Sequence, residues 1–234
     1  MSKIIAIMLL LCCGMMLFGC ADDNGRRKAE QQKTIVVTDS VGRKVELPYP
    51  LERVAVCNVY NAELITAVGA IDKIVGVDNY IFKDQSGFKN RFNEAQVFGI
   101  SQNAMNYEKL AELAPQAVII TGEGTWRDAQ EMLDRFGIKV IVINSYYTDQ
   151  FADNCRLIGR IFGREEQAEE LVNYFNDKLA YIQKQLQGVP RRSLYFEYRT
   201  LGKTAVPGDY FYKMVEYSGA DNIFAAAKGS QVDQ

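Results

Sequence analysis

Short, uninterrupted Val/Ile-rich runs alternate with helical segments through the middle of this chain, and this alternation constrains its fold more than any other feature. The apolar runs lie at 53–57, 73–77, 96–99, 117–121 and 139–143. The helical segments between them lie at 61–68, 106–113 and 125–136. Because strands buried on both faces are continuously apolar, the pattern predicts a parallel sheet covered by helices on both sides. Open sheets of this kind bind ligands at the carboxyl ends of their strands.

A stripe of apolar residues at helical spacing predicts one long helix between Gly163 and Gly188. The stripe consists of Ala168, Val172, Phe175, Leu179, Ile182 and Leu186. A helix of this length is typical of a rigid connection between two lobes, and packing along a single sheet is the alternative.

We therefore predict an α/β fold with two parallel-sheet lobes joined by one long helix. The N-terminal lobe spans 34–163 and begins with a hairpin that turns at 39–42, and the interlobe helix spans 164–188. Residues 189–234 are the start of a C-terminal α/β lobe. We expect that lobe to be incomplete, because a second lobe of comparable size needs more residues than remain.

The N-terminal residues are typical of an export signal. Lys3 is the only charged residue before Asp22, and residues 4–18 are almost wholly apolar. A positive start, a short apolar run and a small residue before Cys20 indicate a lipoprotein signal peptide at 1–19, with palmitate-type lipidation of Cys20. An ordinary signal peptide cleaved nearby is the alternative. Residues 20–33 lack apolar periodicity and are predicted to be a flexible tether, so we expect a protein exported and lipid-anchored to the cell membrane, on its periplasmic or outer-surface side.

The composition excludes several classes of function. The chain has no histidine, which excludes Ser-His-Asp and Cys-His hydrolases and His-ligated zinc or haem sites. It has 27 basic and 29 acidic residues, so no nucleic-acid partner is indicated. Cys57 and Cys155 remain within the predicted fold, where they are either a disulfide or two buried thiols.

The ordered set of segments resembles the substrate-binding proteins of bacterial ABC importers for ferric siderophores, cobalamin and haem. The segments that carry the resemblance are 38–48, 53–56, 64–69, 72–77, 107–110, 113–115, 133–142 and 219–224. Members of that family have two α/β lobes joined by one rigid helix. Gln116 departs from the pattern, since the family usually has Asp after this proline.

The resemblance implies a non-catalytic protein that captures an iron(III)-siderophore-type chelate in the cleft between its lobes. It implies delivery of that chelate to an ABC permease and its ATPase, a monomeric state, and no resident cofactor or metal. It also places Glu108 at the permease-docking acid of the first lobe, with a solvated helix face as the alternative. We expect the 234-residue chain alone to bind its ligand poorly, because half of the cleft wall lies outside it.

Aromatic and amide side chains are concentrated just after the predicted strands, which is where a ligand of a parallel sheet binds. The predicted ligand-binding residues are Asn58, Tyr60, Asn61, Asn79, Tyr80, Glu123, Trp126, Ser145, Tyr146, Tyr198 and Arg199. Flat rings supply contact area at little entropic cost, and amides fix orientation.

Three of these residues have a more specific interpretation. Arg199 is expected to bind carboxylate or catecholate groups in bidentate fashion, although a solvated surface arginine is the alternative. Glu123 would repel an anionic chelate unless it pairs with Arg127 or Arg199. Trp126 follows a strand end, which favours the cleft over core packing.

Other functions stay open at this point. A cobalamin or haem ligand is the nearest alternative, and haem would require a tyrosine ligand such as Tyr60 or Tyr146. An enzyme on the same sheet topology would need a nucleophile–base pair or a carboxylate cluster, and neither is recognisable. A structural or adhesive surface lipoprotein is the third class.

Overall fold

A hairpin opens the part of the chain that the structure describes. The computed structural model describes residues 33–198 and 201–227, so the predicted signal peptide and Cys20 lie outside the described residues. Strands β1 (Thr34–Thr38) and β2 (Lys44–Pro48) pair antiparallel, with Val37 opposite Val45. The predicted hairpin is therefore confirmed.

A five-stranded parallel sheet forms the centre of the fold, as the alternating pattern predicts. Its strands are β3 (Val54–Val56), β4 (Ile74–Asp78), β5 (Val97–Gly99), β6 (Ala117–Ile120) and β7 (Lys139–Val142). Their order across the sheet is β5-β4-β3-β6-β7. Every residue of β6 is buried: Ile119 packs into one apolar cluster, and Val118 and Ile120 pack into a second. Both faces of the sheet are therefore covered, which explains the uninterrupted apolar runs.

Short helices follow four of the strands and cover the two faces. They are α1 (Val59–Ala67), α2 (Asn79–Lys83), α3 (Tyr107–Glu112) and α4 (Trp126–Asp134). Three 3-10 turns lie at Ile71–Lys73, Glu94–Gln96 and Thr148–Gln150. Asp78 caps α2 by accepting the backbone N–H of Ile81 at 2.9 Å. The sequence pattern predicts no helix at α2.

Helix α5 (Phe151–Phe162) is also absent from the sequence prediction. Its buried residues Cys155, Ile158 and Phe162 recur at helical spacing, so the signal was present in the sequence. The helix ends at Gly163, whose φ of 63° lies in the left-handed region that favours glycine.

Helix α6 (Glu165–Gln185) is the long helix that the sequence predicts, and it runs without a break. The predicted apolar stripe is fully buried only near its start, and Phe175, Leu179 and Leu186 are half-buried. Ala168 and Val172 are fully buried, and the Phe175 ring lies 4.3 Å from that of Phe151, whereas Ile182 is 41% exposed. Among the described residues, no helix is both long and apolar enough to cross a membrane.

After the long helix the chain forms a second, two-stranded parallel sheet. Strand β8 (Arg192–Leu194) pairs with β9 (Ala220–Asn222), and helix α7 (Tyr212–Tyr217) lies between them in sequence. The predicted strand at 191–198 is thus shorter than expected. Beyond Leu194, the Tyr198 N–H donates to the carbonyl oxygen of Lys203 at 3.1 Å.

Candidate functional site

A cavity lies at the carboxyl ends of β6 and β7, where the loops after these strands face α7 and the segment that precedes it. Its volume is about 680 Å³, within the usual range of ligand pockets. The loops after β6 and β7 contribute Gly122, Glu123, Gly124, Asn144, Tyr146 and Tyr147, the start of α4 contributes Arg127, and the 3-10 turn at Thr148–Gln150 contributes Asp149 and Gln150. The hairpin turn contributes Ser40 and Val41, and the segment after the long helix contributes Gly208, Asp209, Tyr210, Tyr212 and Lys213. We call this space the polar cavity.

Aromatic rings from both sides of the polar cavity contact one another. The rings of Tyr146 and Tyr147 lie 4.8 Å apart, and Tyr210 approaches Tyr146 edge-on at 5.5 Å. The strand-end loop after β7 and the segment after the long helix thus share one aromatic cluster. Such rings give a bulky ligand flat apolar contact area, with hydroxyl groups at their edges.

The charges around the polar cavity are mixed. Glu123, Asp149 and Asp209 line it together with Arg127 and Lys213, and Lys213 also pairs with Glu216 at 2.6 Å. Burial, followed by the charge of Glu123, raises the pKa of Tyr146. Burial and then the charges of Glu123 and Asp209 raise the pKa of Tyr147. Both phenols are therefore held in the protonated form, as hydrogen-bond donors.

A polar frame behind the cavity fixes the two strand-end loops. The Gly122 N–H donates to the Asn144 amide oxygen at 2.7 Å, and a Cβ on Gly122 would lie 3.2 Å from that side chain. Gln102 accepts from Thr121 at 3.0 Å from the backbone N–H and 2.8 Å from the hydroxyl, and donates to the Glu123 carbonyl at 2.6 Å. These hydrogen bonds hold the two loops in a fixed orientation.

A second, smaller cavity adjoins the first. Its volume is about 370 Å³, and it lies between α1, the start of α5, the long helix and α7. Its lining is Tyr60, Glu63, Leu64, Ala67, Ser145, Tyr146, Thr148, Phe151, Leu171, Tyr210, Phe211 and Met214. We call it the apolar cavity, since carbon-rich side chains form most of its wall.

The predicted ligand-binding residues are divided between these spaces. Glu123 and Tyr146 line the polar cavity, and Tyr60, Ser145 and Tyr146 line the apolar one. Tyr146 is therefore the predicted residue that faces both.

Two predicted asparagines have structural partners. Asn58 caps α1 by accepting the Tyr60 N–H at 3.0 Å. Asn61 is fully buried, donates to the Cys57 carbonyl at 3.2 Å and accepts the Ser145 hydroxyl at 2.6 Å. The structure thus brings Asn61 and Ser145 together beneath the surface of the site.

Tyr80 and Asn79 lie away from both cavities, on α2, and Tyr80 is 64% exposed. The Trp126 ring is stacked between the guanidinium groups of Arg43 at 4.3 Å and Arg127 at 4.2 Å, and only Arg127 lines the polar cavity.

Two further predicted residues, Tyr198 and Glu108, line neither cavity. The Tyr198 hydroxyl donates to the Asp209 carboxylate at 2.6 Å, which places it behind the polar cavity. Glu108 is exposed in the first turn of α3. Arg199 lies outside the described residues.

Several residues of the polar cavity were missing from the predicted set, notably Tyr147, Asp149, Asp209, Tyr210 and Lys213. Tyr147 carried the same signal as Tyr146, an aromatic residue just after a strand. Residues 208–213 follow no strand of the main sheet, so strand-end reasoning could not find them.

The thiols and carboxylates do not form a metal centre. In residues 33–198 and 201–227, no group of three or more Cys, Asp or Glu side chains could hold a metal ion. Cys57 and Cys155 are free and buried, which answers the question of a disulfide in favour of two thiols. Burial raises the pKa of Cys155 to about 12 and raises that of Cys57, so both thiols are unreactive.

Comparison with known proteins gives a consistent result. The sequence profile of the family described as "Periplasmic binding protein" matches residues 54–234. The molybdate-binding protein MolA of Haemophilus influenzae is 26% identical over 219 residues, which is 82% of this chain and 61% of that protein. The solved structure of MolA bound to molybdate superposes on this chain with a TM-score of 0.69 at 22% identity. The match covers 83% of this chain and 67% of the MolA chain.

Two further similar proteins are described with other ligands. The vitamin B12-binding protein of Salmonella typhimurium is 22% identical over 185 residues, covering 77% of this chain and 65% of that protein. The structure of Staphylococcus aureus SirA complexed with staphyloferrin B has a TM-score of 0.62 at 18% identity, covering 81% of this chain and 65% of that one. The chain thus spans 61–65% of the length of the curated relatives that it matches.

Proposed function

The chain belongs to the periplasmic binding protein family, and from this premise we propose that it is the extracytoplasmic substrate-binding component of an ABC importer. Its role is to hold a metal chelate, of the iron(III)-siderophore type, and to present it to the permease and ATPase. It binds its cargo without chemical conversion.

The observation that carries this proposal is the polar cavity. Its wall comes both from the strand-end loops of the main sheet and from the segment after the long helix, joined through Tyr146 and Tyr210. A volume of about 680 Å³ suits a bulky ligand better than a small oxyanion such as molybdate. Protonated Tyr147 supplies a hydroxyl donor for the oxygen-rich surface of a ferric chelate, and Tyr146, whose hydroxyl is hydrogen-bonded to Glu123, supplies ring surface.

Cobalamin is the second candidate, since a vitamin B12-binding protein is among the relatives and the cavity is large and tyrosine-rich. Haem fits less well. Iron binds tyrosine as the phenolate, and burial, followed by the charge of Glu123, raises the pKa of Tyr146.

Ligand titration monitored by tryptophan fluorescence tests the proposal. Trp126 is the single tryptophan, and the Arg127 guanidinium that lines the polar cavity lies 4.2 Å from its ring. Ferric trihydroxamate, ferric tris-catecholate, cyanocobalamin and haemin are the probes. We expect saturable but weak quenching by a ferric chelate, because half of the expected cleft wall lies outside this chain; saturable quenching by cyanocobalamin alone would favour the second candidate, and no saturable response to any of the four, even at high ligand concentration, would contradict the proposal.

A matched pair of variants locates the binding. Tyr147→Ala removes a ring of the polar cavity and should weaken affinity about tenfold, the effect of losing a buried aromatic contact. Tyr80→Ala removes an exposed ring that contacts neither cavity and should leave affinity unchanged. Equal effects of the two substitutions would place the ligand elsewhere.

We also propose the membrane tether and the permease contact that the sequence predicts. A lipid on Cys20 would confine the protein near its permease and raise its effective concentration there. Cys20→Ala should release the protein from the membrane fraction.

Glu108 is exposed on α3 and lines neither cavity. Glu108→Lys should therefore leave chelate affinity unchanged and reduce stimulation of the transporter ATPase.

A further inference from the structure

The polar and apolar cavities share a wall of two tyrosines. Tyr146 and Tyr210 line both spaces, and their rings meet edge-on with centroids 5.5 Å apart. A ligand group that passes these rings leaves one cavity and enters the other.

The chemistry of the wall changes across this pair. On one side lie Glu123, Arg127 and Asp149, with the oxygen-rich loops of the main sheet. On the other side lie Leu64, Phe151, Leu171, Phe211 and Met214, contributed by α1, α5, the long helix and α7, and Glu63 is the single charged residue of this lining. Met214 lines this second space and is 52% exposed. Covering such a surface with an apolar group is favourable.

We infer that the apolar cavity is a subsite for an apolar arm of the cargo, so that the ligand is an amphiphilic chelate: a polar metal-binding head with an acyl or other hydrocarbon arm. This inference rests on the proposed function, because the head is the chelate held in the polar cavity. We favour an arm of the same ligand as the occupant of the apolar cavity, because Tyr146 and Tyr210 form part of the wall of both cavities.

Two ferric trihydroxamates that differ only in one arm test the inference. One carries an octanoyl arm and the other an acetyl arm, and the measured quantity is the ratio of their dissociation constants. We expect the octanoyl chelate to bind at least tenfold more tightly to the wild-type chain. A ratio near one would overturn the subsite while leaving binding of the head intact.

A pair of substitutions at one position locates the arm. Met214→Trp places a bulkier ring in the wall of the apolar cavity, which reduces the space for the arm, and should bring the ratio close to one. Met214→Leu preserves most of the volume and the apolar character, so it should retain the tenfold ratio. A ratio that survives Met214→Trp would place the arm elsewhere and overturn the assignment.

A measurement without the metal separates this inference from the proposed function. Residues 33–234 contain three methionines, Met105, Met132 and Met214, whose labelled methyl groups give separate NMR signals. Met214→Leu identifies the signal of Met214 by its loss. Titration with octanohydroxamic acid should shift the Met214 signal in a saturable way and leave the other two in place, whereas acetohydroxamic acid should shift none.

The outcomes of the two measurements are distinct. If neither chelate binds but octanohydroxamic acid still shifts Met214, the ferric chelate is wrong and the apolar subsite is supported. If Met214 does not respond to the octyl chain, the subsite is overturned even where both chelates bind.

Discussion

The Asp78 carboxylate accepts the backbone N–H of Asn58 at 3.0 Å and so connects the carboxyl end of β4 to that of β3. Its other oxygen accepts the N–H of Ile81 at 2.9 Å. Asn58 has a φ of 76°, in the left-handed region, immediately before α1. One buried side chain thus fixes the loop conformation at two neighbouring strand ends.

Removal of this carboxylate should destabilise the fold. Asp78→Ala leaves two backbone N–H groups without their acceptor in a buried place, at a cost of about 2–4 kcal/mol in the free energy of unfolding. Asp72→Ala is the control, because the Asp72 side chain is 64% exposed and its ion pair with Lys73 contributes little. Chemical denaturation measures both, and a small effect of Asp78→Ala would show that the loops do not depend on it.

The same carboxyl predicts a pH dependence of stability. Burial is the largest influence on the Asp78 carboxyl and raises its pKa above the value of about 3.9 that it has in the unfolded chain. Between these two pKa values the carboxyl is protonated in the folded state and ionised in the unfolded state. Stability therefore falls as pH rises through the window between the two pKa values. Asp78→Asn cannot titrate, so the wild type should gain stability relative to this variant as the pH falls through that window. A difference between the two proteins that is constant with pH would contradict the prediction.

The hairpin and the sheet could be predicted from sequence because their signals are local. The Val/Ile run at 117–121 needs no knowledge of the rest of the chain to indicate a doubly covered strand, and β6 is buried throughout. Helix α5 had a similar local signal in Cys155, Ile158 and Phe162 that the sequence reading overlooked.

The site could be predicted only in part, for a different reason. Strand ends indicated Glu123 and Tyr146, since the carboxyl edge of a parallel sheet is set by topology. Tyr210 contacts Tyr146 although the two residues are 64 positions apart in sequence. Their contact depends on the path that the chain takes after the long helix. No local pattern contains that information.

The hairpin is joined to the main sheet by Arg43, and its removal is the next prediction. The guanidinium donates to the fully buried Asp39 carboxylate at 2.7 and 3.0 Å, to the Val140 carbonyl at 3.1 Å, and to Gln130. Arg43→Ala leaves the Asp39 charge buried without its partner, so the free energy of unfolding should fall by about 3–5 kcal/mol.

The control for Arg43 is an exposed arginine–aspartate pair of similar length. Arg191 donates to Asp221 at 2.6 Å, with half of the Arg191 side chain exposed, so Arg191→Ala should change stability little. Urea denaturation compares the free energies of unfolding of Arg43→Ala and Arg191→Ala. Equal losses would show that the burial of Asp39 does not determine the contribution of its ion pair to stability.

Close packing of α5 against the long helix predicts that Gly159 cannot carry a side chain. A Cβ at this position would lie 2.5 Å from the Cβ of Ala168 and 2.9 Å from the carbonyl oxygen of Arg164. Gly159→Ala should therefore cost about 1–3 kcal/mol as the helices separate. Gly87→Ala, which meets only the end of the flexible Asp84 side chain, is the control. A thermal midpoint unchanged by Gly159→Ala would mean that the two helices are not held at this distance.

The charge of Glu123 should control the ionisation of the tyrosines in the polar cavity. After burial, Glu123 is the largest influence that raises the pKa values of Tyr146 and Tyr147. Because a nearby negative charge disfavours the phenolate, Glu123→Gln should lower both pKa values. Tyrosinate absorbance during an alkaline titration measures the shift. Glu131→Gln, an exposed acid on α4 outside the cavity, should leave the titration curve in place. If the two variants titrate alike, Glu123 does not set the charge state of the rings, and the argument against a tyrosinate-bound haem fails with it.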